Sequence, residues 1–181
     1  MRSKTLAAVL RAAATVIAGI GAQSASAFTN APVGSTVTAT LSSATWSMGT
    51  FMSCTQATLV GTVVSDAGPG GGGEIDFPQY ATSGCTMFGS NLTVTGNTSP
   101  PWRWSVAGNG AVTHTMDFSL AWGALTARLA GTLRAAYTQT NGSAVISGSV
   151  TRVSGSSLIP ATAGIAGTYT VRSSSGPFLQ L

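Results

Sequence analysis

Charged side chains are scarce in this sequence, and lysine is almost absent from it. The 181 residues contain eight Lys or Arg and four Asp or Glu side chains, and Lys4 is the only lysine. Residues 28–181 keep five arginines against the four acidic residues, which leaves one net positive charge. So small an excess predicts no nucleic-acid partner. A phosphate-binding loop of the Walker type is excluded after residue 27, because that loop requires a lysine.

Histidine and cysteine are also rare, with one histidine, His114, and two cysteines. His114 alternates with Val112, Met116 and Phe118, which places it on the apolar face of a predicted strand and indicates a structural core histidine. A nucleophile needs a neighbouring base, and zinc needs three or four protein ligands. We therefore expect no catalytic residues, no metal and no cofactor, and we expect that the protein is not an enzyme.

The first 27 residues have the pattern of a secretory signal peptide. Positive charges at Arg2, Lys4 and Arg11 precede an apolar stretch over 12–22, and a small-residue site follows at 25–27. The apolar stretch is shorter than the roughly 20 residues that a membrane helix needs. We predict cleavage after Ala27 and a single secreted β domain over 28–181, extracellular or associated with the cell wall, with no membrane span in the mature chain.

Cys54 and Cys85 are the only two cysteines, so one intramolecular pairing exists. In an exported chain an even cysteine count predicts a disulfide. The bond would close a loop of about 30 residues and stabilise the fold by about 3–4 kcal/mol in the chain-entropy description.

The residues after 27 show alternation of apolar and polar side chains and no helical periodicity. The clearest half-buried strand is 112–122, with apolar residues at every second position. About ten short strands are predicted, over 33–40, 48–55, 59–65, 74–80, 92–95, 102–106, 112–122, 127–137, 144–153 and 168–172. Residues 154–167 are expected to form a long loop. The fold class is all-β, a single antiparallel β-sandwich or barrel.

Trp102 and Trp104 are the most distinctive candidates for a ligand-binding site. They share one face of a predicted strand, with Arg103 on the other face. If exposed, the two rings form a platform on which a sugar or another ring can stack. If buried, they belong to the core, which is the usual place of large aromatic side chains. The exposure of these two rings therefore separates a carbohydrate- or ligand-binding module from a structural protein.

Glu74 and Asp76 are the candidates for a hydrolase. Two residues apart on one strand face, their carboxylates lie roughly 7 Å from each other, which falls within the range of an inverting glycosidase pair. Every pair with this spacing on a strand has the same separation, and a solvated loop that keeps a hairpin soluble is the favoured explanation of the two acids. The glycoside hydrolase-like enzyme is therefore the less favoured alternative.

An ordered series of short motifs resembles a known group of proteins. The series comprises Ser53-Cys54, 59–63 (LVGTV), 75–77 (IDF), 83–85 (SGC), 92–94 (LTV), 101–104 (PWRW) and 167–171 (GTYTV). Over roughly residues 35–172 the chain resembles small secreted β-rich, disulfide-bonded proteins of high-GC, actinobacterial-type bacteria. More distantly it is similar to the secreted alkane-oxidation activator family. The resemblance implies an exported, non-enzymatic accessory or surface protein, although members often carry a second cysteine pair that this chain lacks.

These observations together favour a non-catalytic surface or extracellular protein that acts by contact. The low charge leaves little electrostatic repulsion between copies, and Ser, Thr and Gly supply most of the polar surface. We expect self-association or contact with the cell envelope or another secreted protein. We also expect strand edges that few charges protect from pairing.

Overall fold

The computed structural model describes residues 29–41, 52–68, 71–138, 142–175 and 179–180. The predicted signal peptide at 1–27 lies outside these residues, as do Trp46 and the first part of the predicted strand 48–55.

All regular elements among the described residues are β-strands. In chain order they are β1 (Thr29–Asn30), β2 (Thr36–Leu41), β3 (Met52–Ser53), β4 (Gln56–Asp66), β5 (Gly73–Ser83), β6 (Thr86–Met87), β7 (Ser90–Asn91), β8 (Thr93–Gly96), β9 (Trp102–Val106), β10 (Ala111–Trp122), β11 (Leu125–Thr138), β12 (Ser143–Gly155), β13 (Thr162–Ser173) and β14 (Leu179–Gln180).

Eight of these strands close into an antiparallel barrel. The hydrogen-bonded order is β11, β12, β13, β2, β4, β5, β9 and β10, and β10 pairs again with β11. The predicted all-β class is confirmed, and of the two predicted architectures the barrel is the one observed. Closure pairs each of the eight strands with a neighbour on both sides. Some stretches lack a strand partner on one side among the described residues, such as 162–168 of β13 on the side of β2 and 78–83 of β5 on the side of β9. The expectation of strand edges that few charges protect therefore stays a prediction.

The strand β8 lies in line with β9 rather than beside it. Both pair with the same side of β10, β9 at Val112–His114 and β8 at Phe118–Ala121. The short strands β3, β6 and β7 form a separate three-stranded sheet, and β1 pairs with β14. The barrel wall between β5 and β10 is thus built from two successive segments, β9 and β8.

The barrel interior is the hydrophobic core. Along β10 the side chains of Val112, His114, Met116, Phe118 and Leu120 are all buried, and the residues between them point outward. Parts of the other long strands alternate in the same way, such as 57–63 of β4 and 163–171 of β13, because a two-residue period places successive side chains on opposite faces. The interior is therefore filled by side chains.

A glycine allows the close approach of β4 and β5. The register of this pair shifts between Val60 and Thr62, around Gly61. A Cβ atom on Gly61 would collide with the carbonyl oxygen of Asp76 and would lie 2.7 Å from the ring of Phe77. Only glycine fits at this irregularity.

The strands are longer than the sequence predicts. Six of them, β4, β5, β10, β11, β12 and β13, contain between 11 and 14 residues. The predicted loop 154–167 is wrong at both ends, because 154–155 belong to β12 and 162–167 are the first half of β13. The outward residues there are Gly164 and Ala166, and such small residues conceal the alternation of apolar and polar side chains.

Candidate binding groove around Arg128

Trp102 and Trp104 lie inside the barrel and are not a surface platform. Their exposed fractions are 2% and 0%. Trp104 meets Phe77 at a ring-centroid distance of 5.2 Å, and Trp102 meets Tyr80 at 4.5 Å. The two tryptophans are core residues, so the interpretation in which they form an exposed stacking surface has no structural basis here.

The two indole N–H groups differ in their partners. Nε1 of Trp102 donates to two backbone carbonyls, those of Asn97 at 3.0 Å and Asp117 at 2.8 Å. Nε1 of Trp104 is buried and has no hydrogen-bond partner among the described residues. Trp102 therefore attaches the end of β8 to β10, whereas Trp104 contributes by packing alone.

His114 is buried beside Trp104, as its alternation with apolar residues predicts. It is 0% exposed, it is the register partner of Trp104, and the two ring centroids lie 5.4 Å apart. Burial lowers the pKa of His114 to about 3, because the interior disfavours the charged imidazolium. A neutral ring closed off from solvent cannot exchange protons with an external substrate.

Glu74 and Asp76 are joined by an arginine. Nη1 of Arg103 lies 3.1 Å from a carboxylate oxygen of Glu74, and its Nε donates to Asp76 at 2.7 Å. Register pairing of Asp76 with Arg103 on β9 brings these side chains together. The hydrogen bond from Arg103 to Asp76 in turn raises the pKa of Arg103. A guanidinium held by both carboxylates is an ion-pair cluster, which differs from the acid and base separated by water that an inverting glycosidase needs.

The predicted disulfide between Cys54 and Cys85 is present. Cys54 stands just before β4 and Cys85 just after β5, so the bond joins these neighbouring strands at one end of the barrel. A disulfide is compatible with an extracellular location.

The organised polar surface of the molecule is a groove on the outside of the barrel, which we call the Arg128 groove. Strand register places Thr95, Ser119, Arg128 and Ser154 side by side on β8, β10, β11 and β12. Ser119 and Arg128 point outward because each stands between buried core residues, and the register aligns the exposed residues Thr95 and Ser154 with them. The row therefore crosses four strands with an arginine near its middle and hydroxyl groups on both sides.

A hydrogen-bond network holds Arg128 in place. Its Nε donates to Oδ1 of Asp117 at 2.9 Å, and its Nη2 pairs with Oδ2 of the same carboxylate. The side chain of Asn97 donates to Asp117 at 2.8 Å and to Ser119 at 3.2 Å. The hydrogen bond from Arg128 lowers the pKa of Asp117 and raises that of Arg128. The guanidinium is thus fixed by its carboxylate partner.

Two adjoining depressions flank Arg128, with volumes of about 380 and 390 Å³. Ser119 and Arg128 line both of them. The first also includes Asn97, Thr98 and Ser99, and the second includes Thr95, Thr126 and Ser154. These volumes fall in the range of small-molecule sites, and the lining carries hydroxyl and amide groups around one neutralised arginine.

This groove was not predicted from the sequence, although one feature of the sequence indicates part of it. Asp117 and Arg128 lie on consecutive strands around the tight turn at Gly123, where the backbone has a positive φ of 57°. Counting outward from the Trp122–Leu125 pair of that hairpin places Ser119 opposite Arg128. The other members come from β8 and β12, and their register cannot be read from any local pattern.

Within the described ranges, no three His, Cys, Asp or Glu side chains lie close enough together to hold a metal ion. The same residues contain no helix long and apolar enough to cross a membrane.

The fold and the groove define a class of protein: a disulfide-bonded, eight-stranded antiparallel β-barrel with a packed core and a polar groove on its outer wall. Comparison of the chain with known protein families, curated proteins and solved structures gives no match. The resemblance to small secreted actinobacterial-type proteins therefore stays a prediction.

Proposed function

We propose that the mature chain is exported and acts by contact, as a non-catalytic surface or extracellular protein. The observation that carries this proposal is the separation of charge around the barrel. Six charged residues stand on the outer face of β5, β9, β10 and β11, namely Glu74, Asp76, Arg103, Asp117, Arg128 and Arg134. The opposite half, formed by β12, β13, β2 and β4, carries only three, Asp66, Arg152 and Arg172, and we call its outer face the hydroxyl wall.

The hydroxyl wall is regular. Ser143, Thr170, Thr40 and Thr58 are successive register partners, so they form one row across β12, β13, β2 and β4. Thr36 and Thr38 continue the same face along β2. Three of the exposed large apolar side chains, Val64, Val145 and Val153, also stand on these strands. Uncharged hydroxyl and valine side chains offer a partner hydrogen bonds and apolar area without charge repulsion.

Two of the three charged residues on these strands are engaged near strand ends. Asp66 ends β4 and accepts a hydrogen bond from the backbone of Gly68. Arg152 donates through Nη1 to the carbonyls of Ser156 and Ile159 in the loop after β12. The third, Arg172, is the register partner of Thr38, so it places one positive charge on the wall beside the central row. The row itself carries no charge, and it is the surface that we assign to self-association or to contact with the envelope or a secreted partner.

The described titratable groups support contact rather than catalysis. Arg103 binds both members of the carboxylate pair, Arg128 holds Asp117, and His114 is buried and neutral at physiological pH. A mechanism based on general acids and bases needs a titratable group that reaches its substrate.

The experiment is fractionation of cells that produce the full chain, with mass spectrometry of the product. We expect a product that begins at residue 28 and is recovered with the cell envelope or as an assembly larger than a monomer in size-exclusion chromatography. A product that retains residues 1–27, or a strictly monomeric protein that stays free in the medium, would contradict the proposal.

A turnover assay with neutral polysaccharides and esters completes the test. No turnover is expected from the wild type. Turnover that disappears in Glu74→Gln or Asp76→Asn would show that the protein is an enzyme.

A further inference from the structure

We propose that the Arg128 groove binds a neutral carbohydrate, recognised through its hydroxyl groups. This inference deepens the proposed contact function, on which it rests, by assigning a ligand class to one face of the barrel. The groove and the hydroxyl wall are formed largely by different strands, so the two surfaces can be tested separately.

The groove has an elongated shape. The row from Thr95 to Ser154 crosses four strands, which corresponds to about 14 Å at the usual strand spacing. The outward neighbours of Arg128 and Ser119 on their own strands include Ala130, Ala121 and Thr126. Short side chains around one long arginine leave the two depressions on either side of the guanidinium. The resulting surface suits an elongated ligand lying across the strands.

The groove presents several hydrogen-bonding groups to a ligand. The bonds from Arg128 to Asp117 use Nε and Nη2, which leaves the Nη1 donors for a ligand. Asn97 offers an acceptor oxygen in the same groove, and hydroxyl groups of Ser119, Thr126 and Ser154 both donate and accept. Adjacent donors and acceptors on planar side chains match the paired hydroxyl groups of a sugar.

The charge of the groove favours a neutral ligand over an anionic one. A carboxylate or phosphate ligand would have to compete with Asp117, whose two oxygens already occupy the guanidinium. The combined charge of Arg128 and Asp117 is zero, so a neutral ligand enters without displacing the ion pair. The lining residues include no aromatic ring, and hydrogen bonds that replace water contribute little each. The affinity is therefore weak, with a Kd of about 1 mM.

The test is NMR titration of the isotope-labelled mature protein with separate oligosaccharide probes. The neutral probes are maltohexaose, cellohexaose, a β-1,3-linked glucohexaose and an α-1,6-linked mannohexaose, and the anionic probe is an oligogalacturonate. At about 5 mM probe, we expect at least one neutral probe to shift the Arg128 Nε–H signal and the amides of Thr95, Ser119 and Ser154. We expect the anionic probe to leave these signals unchanged.

Two variants and a matched control assign the site. Arg128→Ala removes the central donor, and Ala121→Trp fills one depression while leaving the ion pair in place, so each weakens binding at least tenfold. Arg134→Ala changes an exposed arginine of the same strand face outside the groove and leaves binding unchanged. Backbone spectra of all three report folding, and Ala121→Trp keeps the test valid if Arg128→Ala does not fold.

The outcomes distinguish this inference from the contact function. No shift with any neutral probe, a shift with the anionic probe alone, or binding that survives both groove variants would overturn the carbohydrate site. Association through the hydroxyl wall would stand in those cases. Cleavage of a probe would instead contradict the contact function itself.

Discussion

Trp104 and His114 face each other inside the barrel as register partners on β9 and β10, with their ring centroids 5.4 Å apart. The nitrogens of both rings are buried, and none has a hydrogen-bond partner among the described residues. Enclosed in the core, these rings stabilise the barrel by packing. In this respect Trp104 differs from Trp102 on the same strand, whose indole N–H donates hydrogen bonds.

The first prediction compares Trp102→Phe with Trp104→Phe. Both substitutions remove a similar buried volume, but only Trp102→Phe breaks hydrogen bonds, those to Asn97 and Asp117. Trp102→Phe should therefore lower the free energy of unfolding by about 1–2 kcal/mol more than Trp104→Phe does. Urea unfolding followed by circular dichroism measures both values. Equal losses, or a larger loss for Trp104→Phe, would show that the difference between the indole N–H groups does not exist.

The second prediction concerns pH. The folded protein holds the pKa of His114 at about 3, below the value of 6.5 for a free imidazole, so the unfolded chain binds more protons between these values. Stability is therefore full above pH 6.5 and falls as the pH falls, by about 1.4 kcal/mol for each pH unit.

The window between pH 6.5 and 5 isolates this effect, because His114 is the only histidine. Urea unfolding at several pH values should show a loss of about 2 kcal/mol across the window in the wild type. In His114→Leu the free energy of unfolding should be constant over the same range. The same slope in both proteins would assign the pH dependence to another group.

The third prediction concerns the disulfide. Its 31-residue sequence separation restricts the unfolded chain, so Cys54→Ser with Cys85→Ser should lower the free energy of unfolding by about 3–4 kcal/mol. Reduction of the wild type should cause the same loss, and reductant should have no effect on the double variant, which serves as the control. Alkylation of both cysteines in denatured, unreduced protein would mean that the bond is absent.

Local alternation predicted the parts of the fold in which inward residues are apolar and outward residues are polar. The predicted strand 112–122 differs from β10 by one residue, and 102–106 coincides with β9. The start of β13 was missed because Gly164 and Ala166 carry no polar signal. Closure of the barrel depends on the pairing of β10 with β11 and of β13 with β2, and the second pair joins residues far apart in the chain.

The candidate site was less predictable than the fold. Trp102 and Trp104 were correctly placed on one strand face, but alternation alone does not show whether that face is the interior. The ion-pair partner of Glu74 and Asp76 was also not predicted, because Arg103 reaches them only through the pairing of β5 with β9. The Arg128 groove joins residues from four strands, so it exists only once the register is known.

The central claim, contact through the hydroxyl wall, is tested most directly by sedimentation velocity of the mature protein over a range of concentrations. Thr40→Lys with Thr170→Lys places two positive charges in the middle of the hydroxyl wall, and Thr113→Lys with Thr132→Lys adds the same charge to the outer face of β10 and β11. The account predicts that the wild type and the β10–β11 variant associate as concentration rises, and that the wall variant stays monomeric. Equal association of all three proteins would contradict the account. Three proteins that stay monomeric at every concentration and do not bind an envelope fraction would also contradict it.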